Sequence, residues 1–210
     1  MSQQDLSRWS GIACILAGVL FALGTVLHPS RETPEIILKQ EFRLVAAHWL
    51  YTLFFGFFML GLTGLYTLQS ERAGRFGLVS YLMLFFGALF FAVSNNYGLI
   101  APVLAAHAPA MLDAINTYPS EIVLNGLLFI GFYLGFIFFG ITTLRARVLP
   151  RQIGILMIIG SPLNIVGSVL GLLLLEAFWI VAILGAFVMG LALLRAGYAL
   201  WSSKEAIGVS

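Results

Sequence analysis

Two kinds of residue in this sequence are able to hold something: histidines, and side-chain amides set within long apolar runs. His28 closes the first such run, His48 lies one turn into the second, Asn95 and Asn96 end the third, Asn125 begins the fourth, and Asn164 follows Ser161-Pro162 inside the fifth. Glu176 stands just before the sixth. Polar groups at similar depth in successive helices are what a shallow pocket needs, so His48, Asn95, Asn96, Asn125, Asn164 and Glu176 are the candidate ligand-binding residues. Asn164 also suits a second role, bonding one helix to its neighbour beside a proline that frees backbone carbonyls.

Imidazole nitrogens ligate zinc and copper, so His28, His48 and His107 are the candidate metal ligands, with Asp113 or Glu121 as carboxylate partners. Glu41 lies seven residues before His48, on the same face if that helix extends outward. The spacings fit no familiar metal motif, and a haem between His28 and His48 would need both rings at equal depth and facing each other. The sequence holds no P-loop, G-x-S-x-G, H-E-x-x-H or C-x-x-C. No catalytic residue and no cofactor are therefore predicted, and an enzyme is the less favoured class.

These residues must be positioned by transmembrane helices. Hydrophobic residues make up 60% of the 210 positions and charged residues 10%, where soluble domains carry roughly a quarter charged. Uncharged runs long enough for a bilayer predict an all-α, polytopic bundle with six spans, at about 9–28, 44–68, 76–99, 122–144, 152–172 and 177–199. The first run is too long for a signal-peptide core and precedes no small-x-small site, so it reads as a permanent span. The last two are divided at Leu174-Leu175-Glu176, the one place where a charge interrupts them. The lone cysteine, Cys14, excludes an intramolecular disulfide.

Arg8, Arg72, Arg75, Arg145, Arg147, Arg151, Arg195 and Lys204 fall on one side of these spans, and Arg31, Lys39 and Arg43 on the other. Basic residues favour the cytoplasmic side, which predicts both termini inside a cell membrane, most simply a bacterial cytoplasmic membrane. Trp9 and Trp201 then mark the inner boundary, and Trp49 and Trp179 the outer one. The spans carry no Asp, Glu, Lys or Arg at membrane depth, which argues against proton-coupled pumps and voltage sensors. A net charge of +2 gives no reason to expect a nucleic-acid partner.

Arg8-Trp9-Ser10-Gly11, Arg75-Phe76-Gly77 and Arg151-Gln152-Ile153-Gly154 open alternate spans. Gly64 to Leu68, Gly140 to Leu144 and Gly190 to Leu194 close the others. This pattern fits three tandem helical hairpins of one orientation, and equally the chance recurrence of two common residues. Gly131/Gly135 and Gly167/Gly171 are G-x-x-x-G pairs, suited to close packing within the bundle or to a homo-oligomer or membrane partner. Thr33-Pro34-Glu35 is a helix start, and residues 109–118 suit a short surface helix; together they could cover a pocket.

The stretch Leu144-Arg-Ala-Arg-Val-Leu-Pro-Arg151 followed by Gly154, Leu156 and Gly160 resembles the inner loop and fifth-helix start of bacterial six-helix membrane families known only as domains of unknown function. The resemblance implies the helix count and the membrane setting, and carries no catalytic residues with it. Three functions fit the residues. One is binding or moving a small or lipidic molecule through an outward-facing polar pocket. The second is a non-catalytic scaffold packed through glycine-rich faces, and the third a metal-dependent membrane enzyme built on the outer histidines.

Overall fold

Helix is the only regular structure among the described residues, 3–202, of this computed structural model. In chain order the helices are α1 (Gln3–Leu27), α2 (Pro34–Lys39), α3 (Glu41–His107), α4 (Pro109–Thr117), α5 (Pro119–Leu128), α6 (Gly135–Ala146), α7 (Arg151–Leu173) and α8 (Trp179–Ser202). A π-helical turn, Phe129–Leu134, joins α5 to α6, and a 3-10 turn, Glu176–Phe178, precedes α8. Five helical stretches are long and apolar enough to cross a membrane: Asp5–Leu27, Glu41–His107, Pro119–Ala146, Arg151–Leu173 and Glu176–Ser202. Helices suit such sequences because they satisfy every backbone donor and acceptor without water.

The 67 residues of α3 would extend about 100 Å if straight, over three times the roughly 30 Å of a bilayer core. They are bent back at Gly74, whose φ of 59° and ψ of −162° only glycine adopts without strain. The two arms, residues 41–73 and 75–107, run antiparallel. Tyr66 stacks on Tyr81 with ring centroids 4.5 Å apart, and His48 bonds Asn95 at 2.8 Å.

The long helices close a ring. The first arm of α3 packs on α1, α1 on α8, α8 on α7, α7 on α6, and α6 on the second arm. Glycine lets backbones touch at these seams, where close packing replaces the hydrophobic drive that lipid cannot supply. A Cβ on Gly87 would lie 2.1 Å from the Gly131 carbonyl carbon, and one on Gly18 would lie 2.5 Å from the Gly190 oxygen. Both G-x-x-x-G pairs are used inside the chain: Gly131 and Gly135 face the second arm, Gly167 and Gly171 the start of α8.

Outward faces are largely aliphatic, with Leu16, Leu23, Leu53, Leu60, Ile159 and Leu184 exposed, and carry a few aromatic rings such as Phe86 and Phe187. The interior holds buried aromatic rings. Phe132 lies at its centre, with ring centroids 5.0 Å from Phe136, 5.1 Å from Phe91 and 6.2 Å from both Phe21 and Phe54. At one end of the ring, α2 and α4 seat Ile37 and Leu112 against Leu44, Ala101 and Ala105 of α3. Thr33 caps α2 by accepting from the Ile36 N–H at 3.4 Å.

Some boundaries differ from the sequence expectation. The third segment, drawn to 99, continues as helix through Pro102 to His107, because residues 100–107 are apolar and helix-favouring and Pro102 forfeits only one backbone bond. The fourth, drawn at 122–144, starts at Pro119 and contains the π turn. Lys204, counted among the basic residues of one side, lies outside the described residues.

Candidate functional site

The covered end of the ring contains a cavity of about 550 Å³. Every long helix contributes to its wall. Thr25 comes from α1, with His28 just past its end; His48 and Tyr51 come from the first arm of α3, and Asn95 from the second. Asn125 lies on α5, Tyr133 in the π turn, Asn164 on α7 and Trp179 at the start of α8. Phe21 and Phe91 join the cavity to the aromatic centre, each touching Phe132.

A network of hydrogen bonds fixes the polar walls. Thr52 Oγ1 donates to the His48 carbonyl at 2.9 Å, which commits its proton and lets it accept from Asn95 Nδ2 at 2.9 Å. Asn95 Nδ2 also donates to the His48 carbonyl at 3.0 Å, so its Oδ1 is the atom turned to His48 Nδ1, at 2.8 Å. The Asn95 carbonyl lies 3.0 Å from the same nitrogen. With acceptors alone beside it, Nδ1 carries the proton and His48 keeps its lone pair on Nε2. Opposite, the Tyr133 hydroxyl donates to Asn164 Oδ1 at 3.0 Å while Asn164 Nδ2 donates to the Ala182 carbonyl at 2.8 Å. Asn164 thus ties α5–α6, α7 and α8 together at the cavity wall. Tyr51 donates to Thr25 Oγ1 at 3.1 Å, and Ser94 to Asn125 Oδ1 at 3.2 Å.

Three buried polar atoms of residues that line the cavity have no protein partner: Arg31 Nε, Trp179 Nε1 and His48 Nε2. Two are donors and one is an acceptor. An orphaned buried polar atom costs about 1–3 kcal/mol, so each of the three is a group that a further hydrogen-bond partner would stabilise.

His28 and Glu32 stand at the mouth, with Nε2 and Oε1 3.2 Å apart. Nδ1 of His28 is 2.7 Å from the Pro29 carbonyl. Burial pushes the Glu32 carboxyl up, but the hydrogen bond and positive charge of His28 outweigh it and hold the group below the ordinary carboxylate value. The rings of His28 and His48 are 5.1 Å apart, and Trp179 packs on His28 at 5.7 Å.

Of the residues singled out in the sequence, His48, Asn95, Asn125 and Asn164 line this cavity. Asn96 does not: it is exposed, one helical step round from Asn95, and its amide returns to the Ala92 and Val93 carbonyls of its own helix. Glu176 is exposed on the 3-10 turn, away from the lining residues. His28 and His48 come together with Glu32 rather than with His107, which is exposed at the end of α3. Glu41 is exposed as well, Glu121 lines the cavity, and the Asp113 side chain is outside those described. Arg31 and Trp179 enter the sequence reading only as a basic residue of one side and a boundary tryptophan, and Tyr51 and Tyr133 do not enter it.

Compared with protein-family models, curated proteins and solved structures, the chain matches none.

Proposed function

We propose that this chain crosses a bacterial cytoplasmic membrane six times, with both termini inside. In the ring, three antiparallel hairpins hold a small amphiphile in a pocket open to the outer face. Counting each arm of α3 as one crossing gives six. The excess of arginine at the Gly74 end and the 147–150 turn supports an outward-facing cavity.

The observation that carries this reading is the convergence of His48, Asn95, Asn125 and Asn164, from separate helices, on one cavity above a closed aromatic centre. The aromatic floor favours holding a ligand over conducting one. The unpartnered Arg31 and Trp179 donors call for an acceptor-bearing head, best an anionic one. Phe21, Phe91, Leu128 and Phe129 offer an apolar wall to its tail. The scaffold alternative leaned on glycine pairs, and those pairs are occupied within the chain.

The test is displacement of a fluorescent fatty carboxylate by decanoate and by decanol, with the protein in lipid nanodiscs. Saturable binding that prefers decanoate, and that weakens about tenfold or more in Arg31→Ala, supports the reading. Binding that rises linearly with lipid, unchanged by Arg31→Ala and by Asn125→Leu, is partition into the bilayer and would refute it.

A further inference from the structure

We infer that His28, Glu32 and His48 form a binding site for one divalent transition-metal ion of the zinc class, held through Nε2 of both histidines and the Glu32 carboxylate. One ligand atom from each residue lies within 4.8 Å of the others. Two imidazoles and one carboxylate are a recurrent set of protein ligands for such ions. All three residues line the cavity, so an ion held by them keeps a coordination position facing the pocket.

Proximity alone would not distinguish this from an ion pair beside a buried histidine. The second observation is the orientation of the two rings. His48 is 7% exposed, its Nδ1 proton is committed to Asn95, and its Nε2 has no partner. His28 directs Nδ1 to the Pro29 carbonyl and Nε2 to Glu32. Metal-ligating histidines characteristically donate the second ring N–H to a carbonyl or carboxylate, which fixes the tautomer and aims the lone pair. Both histidines have that support, each from a carbonyl oxygen. The 3.2 Å between His28 Nε2 and Glu32 Oε1 matches the roughly 3.3 Å edge of a tetrahedron with ligands 2.0–2.1 Å from its centre. The remaining separation closes with side-chain adjustments, and the ion takes the place of the His28 Nε2 proton.

Gly98 completes the site from behind. A Cβ there would lie 2.0, 2.1 and 2.3 Å from Nε2, Cε1 and Cδ2 of His48. Near-equal distances to three ring atoms put that position over the ring face, not ahead of Nε2 in the ring plane. Gly98 therefore does not stand in the lone-pair direction, and any side chain at 98 displaces the imidazole. Gly98→Ala therefore disables the site while leaving all three ligands in the chain.

The experiment is a cobalt(II) titration of the protein in nanodiscs, read by visible d–d absorption, with zinc as competitor. The expected result is one saturable site that zinc bleaches. Affinity falls at least about tenfold in His48→Ala, Glu32→Gln and Gly98→Ala and stays unchanged in His107→Ala. Size-exclusion profiles accompany every variant, and because Glu32→Gln is nearly isosteric, a misfolded His48→Ala does not leave the question open. Absence of saturable cobalt or zinc binding in the unaltered protein overturns the inference, as does full affinity in both Glu32→Gln and Gly98→Ala. The titration contains no added fatty carboxylate, and decanoate displacement is run separately with a chelator present. Loss of either activity is thereby separable from loss of the other.

Discussion

Around Phe132 the ring interior is filled face to edge: Phe58 stacks on Phe136 at 5.3 Å, and Phe54 meets Phe132 at 90°. One helical turn away, past Phe21 and Phe91, the interior holds amides, hydroxyls and an imidazole around open space. The same helices supply both regions. In the first, dispersion and shape suffice, and no polar atom needs a partner. In the second, each polar group must be matched, and Arg31, Trp179 and His48 retain unmatched atoms in spite of the cost. The contrast separates residues whose part is packing from residues whose part is hydrogen bonding.

That separation is open to attack by mutation. The largest effect is expected for Phe132→Ala, which should lower stability by about 3–5 kcal/mol, read from unfolding in detergent; a loss below about 1 kcal/mol would mean the aromatic centre is not structural. Asn164→Ala should cost about 1–2 kcal/mol in the same assay, since it unties three helices and strands the Tyr133 hydroxyl. Trp179→Phe should act in the opposite sense: decanoate affinity drops by about 1 kcal/mol, roughly fivefold, while the unfolding midpoint holds or rises because an unmatched donor is gone. Asn96→Ala should change both measurements by less than about 0.5 kcal/mol. An effect as large as that of Asn164→Ala would show that facing does not decide which asparagines matter.

Level along the bundle was legible in the sequence; direction around each helix was not. Charge gaps placed the long helices and put His48, Asn95, Asn125 and Asn164 at one level. Asn95 and Asn96 share that level but lie about 100° apart on the helix, and only the position of the neighbouring helices shows which one faces inward. Glu32 is four residues from His28, yet residues 28–33 are not helical, so the spacing gave no geometric warrant for their contact. Gly98 is one of 22 glycines, and Tyr51 and Tyr133 stand among many aromatic residues. Their roles depend on what packs against them. The reversal near Arg72 and Arg75 was visible as charge, whereas its sharpness, a single residue at Gly74, comes from one backbone conformation.

The seam between α1 and α8 joins segments far apart in the chain: Ser7 Oγ donates to the Leu200 carbonyl at 3.0 Å, and Gly11 lies against Gly197. Trp179, on the last helix of the ring, is also part of the cavity wall. During synthesis the ribosome delivers α1 first and α8 last among these elements, so the wall stays incomplete until α8 has been released and packed. For most of translation the polar groups of the earlier helices lack the wall that α8 supplies. A chain arrested before α8 would carry the histidines and amides without the wall that encloses them.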